Sequence, residues 1–188
     1  MNISPETDEQ ERTGTTRGLV MINTGNGKGK TTAAMGQMMR AWGHGKKVIM
    51  FQFIKNSGAD FGEHRAARKM GIEIIAGGAG FAMPGVTGDT EESERRSQEL
   101  WDLASAAILS GDYDMVVLDE LTWPLRFGWL DADVIITTLE NRPASVHVII
   151  TGRDAPEKLL GFADTVTEAV ETRHHFRQGI KAQPGIEF

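Results

Sequence analysis

Short apolar runs alternate with longer amphipathic stretches along most of the chain. The apolar runs are rich in β-branched residues and predict strands at residues 19–23, 48–53, 72–76, 115–118, 146–151 and, with a weaker pattern, 165–170. The stretches between them have helical spacing and predict helices at residues 30–42, 62–70, 90–109, 131–140 and 156–162. Because the strands are almost continuously apolar, this alternation predicts an α/β fold with a mostly parallel central sheet and helices on both faces.

Two segments depart from this alternation. Residues 1–16 are polar and rich in Thr and Glu, so we expect a flexible N-terminal arm followed by one domain over residues 17–188. Residues 77–89 form a long glycine-rich connection that nevertheless carries the large apolar side chains of Phe81 and Met83. That combination is unusual for a solvated loop and indicates a functional segment.

A glycine-rich segment directly follows the first predicted strand. It reads Thr24-Gly25-Asn26-Gly27-Lys28-Gly29-Lys30-Thr31-Thr32. The glycines let backbone N–H groups point inward around an anion, Lys30 can reach the outer phosphates, and the Thr31 hydroxyl can coordinate Mg²⁺. The N-terminus of the following helix adds partial positive charge at the same place. Since Thr24 stands where the usual pattern has glycine, the segment is a P-loop variant, and its residues from Gly25 to Thr32 are the predicted phosphate-binding residues.

The predicted strand at residues 115–118 ends in two acids, Asp119 and Glu120, and resembles a Walker B element. Ligands of open parallel sheets bind beyond the carboxyl ends of the strands, so these carboxylates and the P-loop can face one crevice. A carboxylate there can bind Mg²⁺ directly or through water. Two acids at a strand end can also cap a neighbouring helix, but the P-loop in the same chain favours the metal role.

Composition and charge narrow the classes of function. The net charge of −6 and the pI near 5.4 argue against non-specific binding to nucleic acid or to an anionic membrane. The chain has no cysteine, which excludes a disulfide framework, a thiolate nucleophile and a cysteine-ligated metal centre. The first residues lack the pattern of a signal peptide and no apolar run reaches 18 residues, so we expect a cytoplasmic protein.

Three further polar residues are weaker candidates. His174 and His175 are adjacent and therefore point in different directions, which favours surface histidines over a metal pair. Arg153 follows the apolar strand at residues 146–151, where it could meet a phosphate or make a structural salt bridge.

The two nucleotide motifs indicate nucleoside triphosphate binding but leave the reaction open. Hydrolysis coupled to motion or assembly is one class, phosphoryl transfer by a small kinase is another, and use of the triphosphate as a leaving group is a third. A non-enzymatic switch, whose long loop orders when ATP binds, is a further alternative.

Six segments carry a more specific pattern. They are Thr24-Gly-Asn-Gly-Lys-Gly-Lys-Thr-Thr-Ala-Ala34, Gly43-His-Gly-Lys46, Gln52-Phe-Ile-Lys55, Val116-Val-Leu-Asp-Glu-Leu-Thr122, Val148-Ile-Ile-Thr-Gly-Arg153 and Lys181-Ala-Gln-Pro-Gly-Ile186. Together they resemble the ATP:corrinoid adenosyltransferases of the cobalamin pathway, the CobA/BtuR type. The resemblance is collinear over residues 18–188, whereas a generic ATPase would share only the P-loop and the acidic strand end.

The resemblance implies a reaction and a set of partners. The 5′-deoxyadenosyl group of ATP would be transferred to the Co(I) centre of cobalamin or a related corrinoid, with release of triphosphate. An electron donor would reduce Co(II), and the protein would be a RecA-like P-loop domain that forms a homodimer. The family also implies that Thr31 and Glu120 ligate Mg²⁺ and that the triphosphate lies in the direction opposite to that in ordinary P-loop enzymes.

The resemblance gives the apolar loop a role as well. In the family, an aromatic pair crowds the lower face of the corrin and excludes an axial ligand, which eases reduction to Co(I). Phe81 matches this pair, whereas Met83 stands where related sequences carry Trp. A thioether is apolar and adaptable but less rigid, and it can act as a soft ligand for cobalt. With Lys30, which would neutralise charge on the departing triphosphate, these are the predicted catalytic residues.

Overall fold

The computed structural model describes residues 16–55, 58, 60–78 and 90–187. Its strands are β1 (Val20–Thr24), β2 (Val48–Gln52), β3 (Glu73–Ala76), β4 (Met115–Asp119), β5 (His147–Thr151) and β6 (Thr165–Glu168). Its helices are α1 (Lys30–Gly43), α2 (Gly62–Met70), α3 (Thr90–Ser110), α4 (Thr122–Arg126), α5 (Ala132–Glu140), α6 (Glu157–Phe162) and a 3₁₀ helix (His175–Gln178). The predicted strands and helices are all present, with ends that differ by at most two residues.

The helix α4 was not predicted from the sequence. It has only five residues, too few to show a helical period, and it includes Pro124. Proline is tolerated in the first turn of a helix because the N–H that it lacks has no partner there.

The six strands form one parallel sheet in the order β3-β2-β4-β5-β1-β6. This confirms the predicted α/β class. Because β5 lies between β1 and β4 and all three strands are parallel, their carboxyl ends lie side by side at the same end of the sheet. In the described ranges, none of the helices has the length and apolar character needed to span a membrane.

Helices cover both faces of the sheet and enclose two hydrophobic cores. Alternate residues of each strand point to opposite faces, so Val116 and Leu118 of β4 pack with α3, α5 and α6, whereas Met115 and Val117 pack with α1 and α2. The predicted two-sided burial is confirmed, and it makes the sheet a rigid support for the residues at its carboxyl edge.

The methionines of α1 show how narrow the contact with the sheet is. Met35, Met38 and Met39 lie on one side of the helical wheel, which predicts that all three pack against the sheet. Met38 is 2% exposed and Met35 borders the same core, but Met39 is 56% exposed, so the prediction is wrong for Met39. The buried stripe is centred on Ala34 and Met38, and Met39 lies one position beyond it.

Two predicted features lie outside the described residues. These are most of the N-terminal arm and the part of the 77–89 segment that holds Phe81 and Met83.

Candidate nucleotide-binding site

The P-loop connects β1 to α1 and lies against the chain that follows β6. Gly25 and Gly29 have φ angles of 94° and 110°, a left-handed region that glycine enters without steric cost. The Gly27 N–H donates to the Ala169 carbonyl oxygen at 2.7 Å. A Cβ atom on Gly25 would lie 2.5 Å from the same oxygen. The loop glycines are therefore required both by the turn and by close backbone packing.

We expect Gly25→Ala to destabilise the protein. The left-handed conformation alone costs roughly 1–3 kcal/mol for a residue with a Cβ, and the contact with Ala169 adds to that cost. A decrease of several degrees in the midpoint of thermal unfolding should result. Gly36→Ala is the matched control, because Gly36 lies inside α1 with open space around its Cα, and alanine is favoured there. Equal unfolding midpoints for the two variants would contradict this role for Gly25.

Lys30 is the first residue of α1, and its side chain folds back over the loop. Its Nζ donates to the Gly27 carbonyl oxygen at 2.9 Å, and the residue is 7% exposed. Burial lowers the pKa of Lys30, while the nearby charge of Glu120 acts in the opposite direction. The ammonium group is therefore held in the loop, in a position from which it can exchange its hydrogen bond to the Gly27 carbonyl oxygen for one to a phosphate oxygen.

Asp119, at the end of β4, is joined to the P-loop by one hydrogen bond and to the ends of β5 and β2 by two more. Its Oδ1 accepts from the hydroxyl groups of Thr31 and Thr151, both at 2.7 Å, and its Oδ2 accepts from Gln52 Nε2 at 3.1 Å. Asp119 is 2% exposed, so these three donors compensate the cost of burying a carboxylate. The prediction that the acidic strand end and the P-loop face one crevice is confirmed.

Glu120 follows Asp119 in an unusual backbone conformation. Its φ angle is 57°, and its N–H donates to Thr151 Oγ1 at 2.9 Å. A non-glycine residue in this region is strained, and such residues are concentrated at functional sites. Burial, and then the charge of Asp119, raise the pKa of Glu120, whereas Lys30 and Arg153 act to lower it. Two acids and two cations therefore interact at one end of the cleft.

The oxygen atoms of Thr31, Asp119 and Glu120 are chemically suited to a hard divalent cation. Among the residues that the structure describes, no group of three or more His, Cys, Asp and Glu side chains could enclose a metal by itself. Mg²⁺ commonly keeps several waters and takes one or two carboxylates together with substrate phosphates. The donor set fits an ion that is held jointly by the protein and a nucleotide.

A cleft of about 1130 Å³ extends from the P-loop. Three of its lining residues are in contact, because Lys55 Nζ lies 4.7 Å from the ring centroid of Phe61 and forms an ion pair with Glu63. Trp123 and Phe127 of the α4 region add an aromatic pair whose ring centroids are 5.1 Å apart. Ligand pockets commonly measure about 300–1,000 Å³, so this cleft has room for a ligand of nucleotide size.

The C-terminal segment also lines the cleft, through Gly185, Ile186 and Glu187. Lys28 Nζ donates to the Ile186 carbonyl oxygen at 2.8 Å and lies 3.4 Å from Glu187. His175 Nε2 is 3.2 Å from Glu187 Oε1, and His174 lines the cleft. Both residues are partly exposed, as expected for surface histidines, but their ring centroids are 4.7 Å apart, so the prediction that they point in different directions is wrong. The segment that ends the chain thus contacts the P-loop directly.

Sequence reasoning missed several residues of the site. Gln52 and Thr151 donate hydrogen bonds to the Asp119 carboxylate. They are the last residues of β2 and β5, as Asp119 is the last residue of β4. The sequence signal for both residues was their polar side chain at the carboxyl end of an apolar strand. The aromatic residues of α4 and the contact between Lys28 and the C-terminal segment had no sequence signal of that kind.

A parallel sheet with a P-loop after β1, and with a β4 carboxylate bonded to the P-loop hydroxyl, has the features of a P-loop α/β domain. The chain belongs to the family described as ATP:corrinoid adenosyltransferase BtuR/CobO/CobP, whose model matches residues 16–188. The corrinoid adenosyltransferase of Pseudomonas aeruginosa is 36% identical over 204 residues, covering all of both chains. Those of Escherichia coli K12 and Salmonella typhimurium are each 40% identical over 172 residues, covering 92% of this chain and 86% of the relative.

Proposed function

We propose that this protein transfers the 5′-deoxyadenosyl group of ATP to the Co(I) centre of cobalamin or a related corrinoid and releases triphosphate. Family membership over residues 16–188 is the observation that carries this proposal. The hydrogen bond that joins Thr31 of the P-loop to Asp119, beside a cleft of about 1130 Å³, supports it.

The proposed reaction needs no nucleophile from the protein. The electron pair of Co(I) attacks C5′ of the ribose, a Co–C bond forms, and the C5′–O bond breaks with its electron pair leaving on the triphosphate. The protein must hold C5′ in line and stabilise the charge that grows on the leaving group. Preorganised cations and N–H donors at the P-loop are suited to that task.

The phosphate-binding residues that we propose all lie at the loop end of the cleft. They are Gly25, Asn26, Gly27, Lys28, Gly29, Lys30, Thr31 and Thr32. Lys30 would exchange its bond to the Gly27 carbonyl for a phosphate oxygen, and Arg153 lines the same cleft as a second cation for the triphosphate. The reversed direction of the triphosphate rests on the family resemblance.

Thr31 and Glu120 are the proposed ligands of Mg²⁺. When bound, the ion would neutralise part of the triphosphate charge. Asp119 is the proposed group that orients the Thr31 hydroxyl, because its carboxylate accepts a hydrogen bond from that hydroxyl.

Glu120→Gln should raise the Mg²⁺ concentration needed for half-maximal activity. A neutral amide is a poorer ligand for a hard cation than a carboxylate, although its shape is the same. The Mg²⁺ dependence of the initial rate at saturating ATP measures the effect. Glu157→Gln is a matched control, because Glu157 starts α6 away from the cleft residues. An unchanged Mg²⁺ titration for Glu120→Gln would show that Glu120 does not ligate the ion.

The corrinoid is proposed to lie against the apolar part of the cleft, with Phe81 and Met83 below the corrin ring. The aromatic side chains of Phe61, Trp123 and Phe127 already present a surface for a large apolar ligand. A homodimer and an external electron donor for Co(II) remain predictions from the family resemblance.

Phe81→Ala should depress turnover from Co(II) corrinoid with a mild reductant, yet largely spare the reaction of Co(I) prepared beforehand. Exclusion of the axial ligand acts on the reduction step and not on ATP binding. Met83→Trp should preserve or improve the Co(II) reaction, because a larger rigid group displaces water more fully. Parallel assays from the two oxidation states, with ATP affinity as control, measure both effects. Equal losses from both states, or a large loss of ATP affinity, would argue against this placement of Phe81.

Product identity tests the proposed reaction against its alternatives. Mg²⁺-ATP is incubated with the protein and reduced corrinoid, and the phosphate products are separated by anion-exchange chromatography. Adenosyl transfer gives triphosphate, hydrolysis or phosphoryl transfer gives ADP, and a nucleotide-controlled switch gives neither. ADP as the main product would contradict the proposed function.

A further inference from the structure

A buried chain of hydrogen bonds leads from Asp119 to the start of α2. Gln52 Nε2 donates to Asp119 Oδ2 at 3.1 Å, and Gln52 Oε1 lies 2.6 Å from His64 Nε2. The Phe61 N–H donates to His64 Nδ1 at 3.3 Å. The exposed fractions of Gln52, Asp119 and His64 are 0%, 2% and 6%. The chain is therefore shielded from water between α2 and the sheet edge.

The direction of each hydrogen bond is determined by the backbone donor at Phe61. Since a backbone N–H can only donate, Nδ1 of His64 accepts, and in the neutral ring the proton then lies on Nε2. Nε2–H donates to the Gln52 carbonyl oxygen, which leaves the Gln52 NH₂ group facing Asp119. His64 thus fixes which end of the Gln52 amide meets the carboxylate.

We propose that His64 and Gln52 are positioning residues for the Mg²⁺-ATP site. They hold the Asp119 carboxylate through Oδ2, so that Oδ1 stays directed at the Thr31 hydroxyl. This inference rests on the proposed function, because it assigns a purpose to the orientation of Thr31. Neither residue is among those that line the cleft. Both act through Asp119.

A structural role for His64 is distinguishable from this one. His64 is the third residue of α2, and its Nδ1 caps the N–H of Phe61, the residue before the helix. A side chain that only capped the helix would need an acceptor for that N–H and no donor toward Gln52. The two roles therefore use different nitrogen atoms of one ring.

Two variants separate these roles. Gln and Glu at the third helical position both accept the N–H of the preceding cap residue, so His64→Gln and His64→Glu both keep the cap. Only His64→Gln keeps a donor for Gln52 Oε1. Gln52→Met removes the donor to Asp119 from the other side with little change in volume. Thermal unfolding establishes that each variant is folded.

The measurement is the Mg²⁺ concentration for half-maximal ATP binding by isothermal titration calorimetry, with ATP binding in EDTA as reference. Loss of a group that orients a metal ligand typically costs about 10–100-fold in metal affinity. We expect Gln52→Met and His64→Glu to raise the half-saturating Mg²⁺ concentration roughly tenfold or more. His64→Gln should remain near wild type, and binding in EDTA should be equal in all four proteins.

Equal Mg²⁺ dependence of His64→Gln and His64→Glu would overturn the inference, as would an equal loss of binding in EDTA. If His64→Glu does not fold, Gln52→Met decides, because an unchanged half-saturating Mg²⁺ concentration there overturns it as well. The formation of triphosphate by the wild-type protein is measured separately. Its absence would contradict the adenosyl-transfer reaction, whereas the binding data alone decide the role of His64 and Gln52.

Discussion

Lys30→Ala is expected to lose adenosyl-transfer activity by on the order of 10²-fold or more while the fold is retained. The Lys30 ammonium lies over the P-loop, 2.9 Å from the Gly27 carbonyl oxygen, where it would meet the charge that grows on the triphosphate. This charge is larger in the transition state than in bound ATP, so removal of a preorganised cation raises the barrier more than it weakens ATP binding.

The effect of Lys30→Ala is measured as the single-turnover rate with Co(I) corrinoid prepared beforehand and saturating Mg²⁺-ATP. Lys158→Ala is the matched control, since Lys158 is exposed on α6 and pairs with Asp133. The control should react at the wild-type rate. A near wild-type rate for Lys30→Ala would remove Lys30 from the catalytic residues.

Asp119→Asn should reduce Mg²⁺-dependent ATP binding and turnover together, by about 10²-fold. The carboxylate accepts three hydrogen bonds, from Gln52 and from the hydroxyl groups of Thr31 and Thr151. An amide has only one oxygen, so its NH₂ group must face either Gln52 or the two hydroxyl groups. In the first orientation two N–H donors face each other, and in the second the hydroxyl groups must rotate. Either arrangement turns the Thr31 hydroxyl away from its position.

The decisive comparison for Asp119→Asn is ATP binding with Mg²⁺ and with EDTA. Only the binding with Mg²⁺ should fall. Asp133→Asn provides the same chemical change at an exposed position of α5, and we expect no effect there. Unaltered Mg²⁺ dependence in Asp119→Asn would show that the position of Thr31 does not depend on the carboxylate.

The fold could be predicted because its signals are local. Val116, Val117 and Leu118 are apolar on both faces of one strand, which is typical of a strand buried in a parallel sheet. The position of Lys30 could likewise be predicted, since its place in the P-loop and at the start of α1 follows from the sequence of a single turn.

The connections between distant segments could not be predicted in this way. His64 meets Gln52 across 12 residues and Lys28 meets Ile186 across 158 residues, and both contacts depend on how helices and termini pack. Met39 was predicted to be buried for a related reason, because helical periodicity gives the side of a helix but not the width of its contact.

The reaction itself was indicated by resemblance and not by geometry. The P-loop and Asp119 are compatible with hydrolysis, phosphoryl transfer and adenosyl transfer alike. The six segments at residues 24–34, 43–46, 52–55, 116–122, 148–153 and 181–186 carried the more specific hypothesis, and the family match over residues 16–188 confirms it at the level of the family.

The most direct test of adenosyl transfer follows the label from ATP that carries ¹⁴C in its adenosine group. The protein is incubated in the dark with this ATP, Mg²⁺ and Co(I) corrinoid, and the corrinoid and the free triphosphate are then quantified. We predict that label enters the corrinoid in a light-sensitive Co–C bond, in equimolar amount to the triphosphate released. Unlabelled corrinoid, with the label recovered in ADP, would contradict the account.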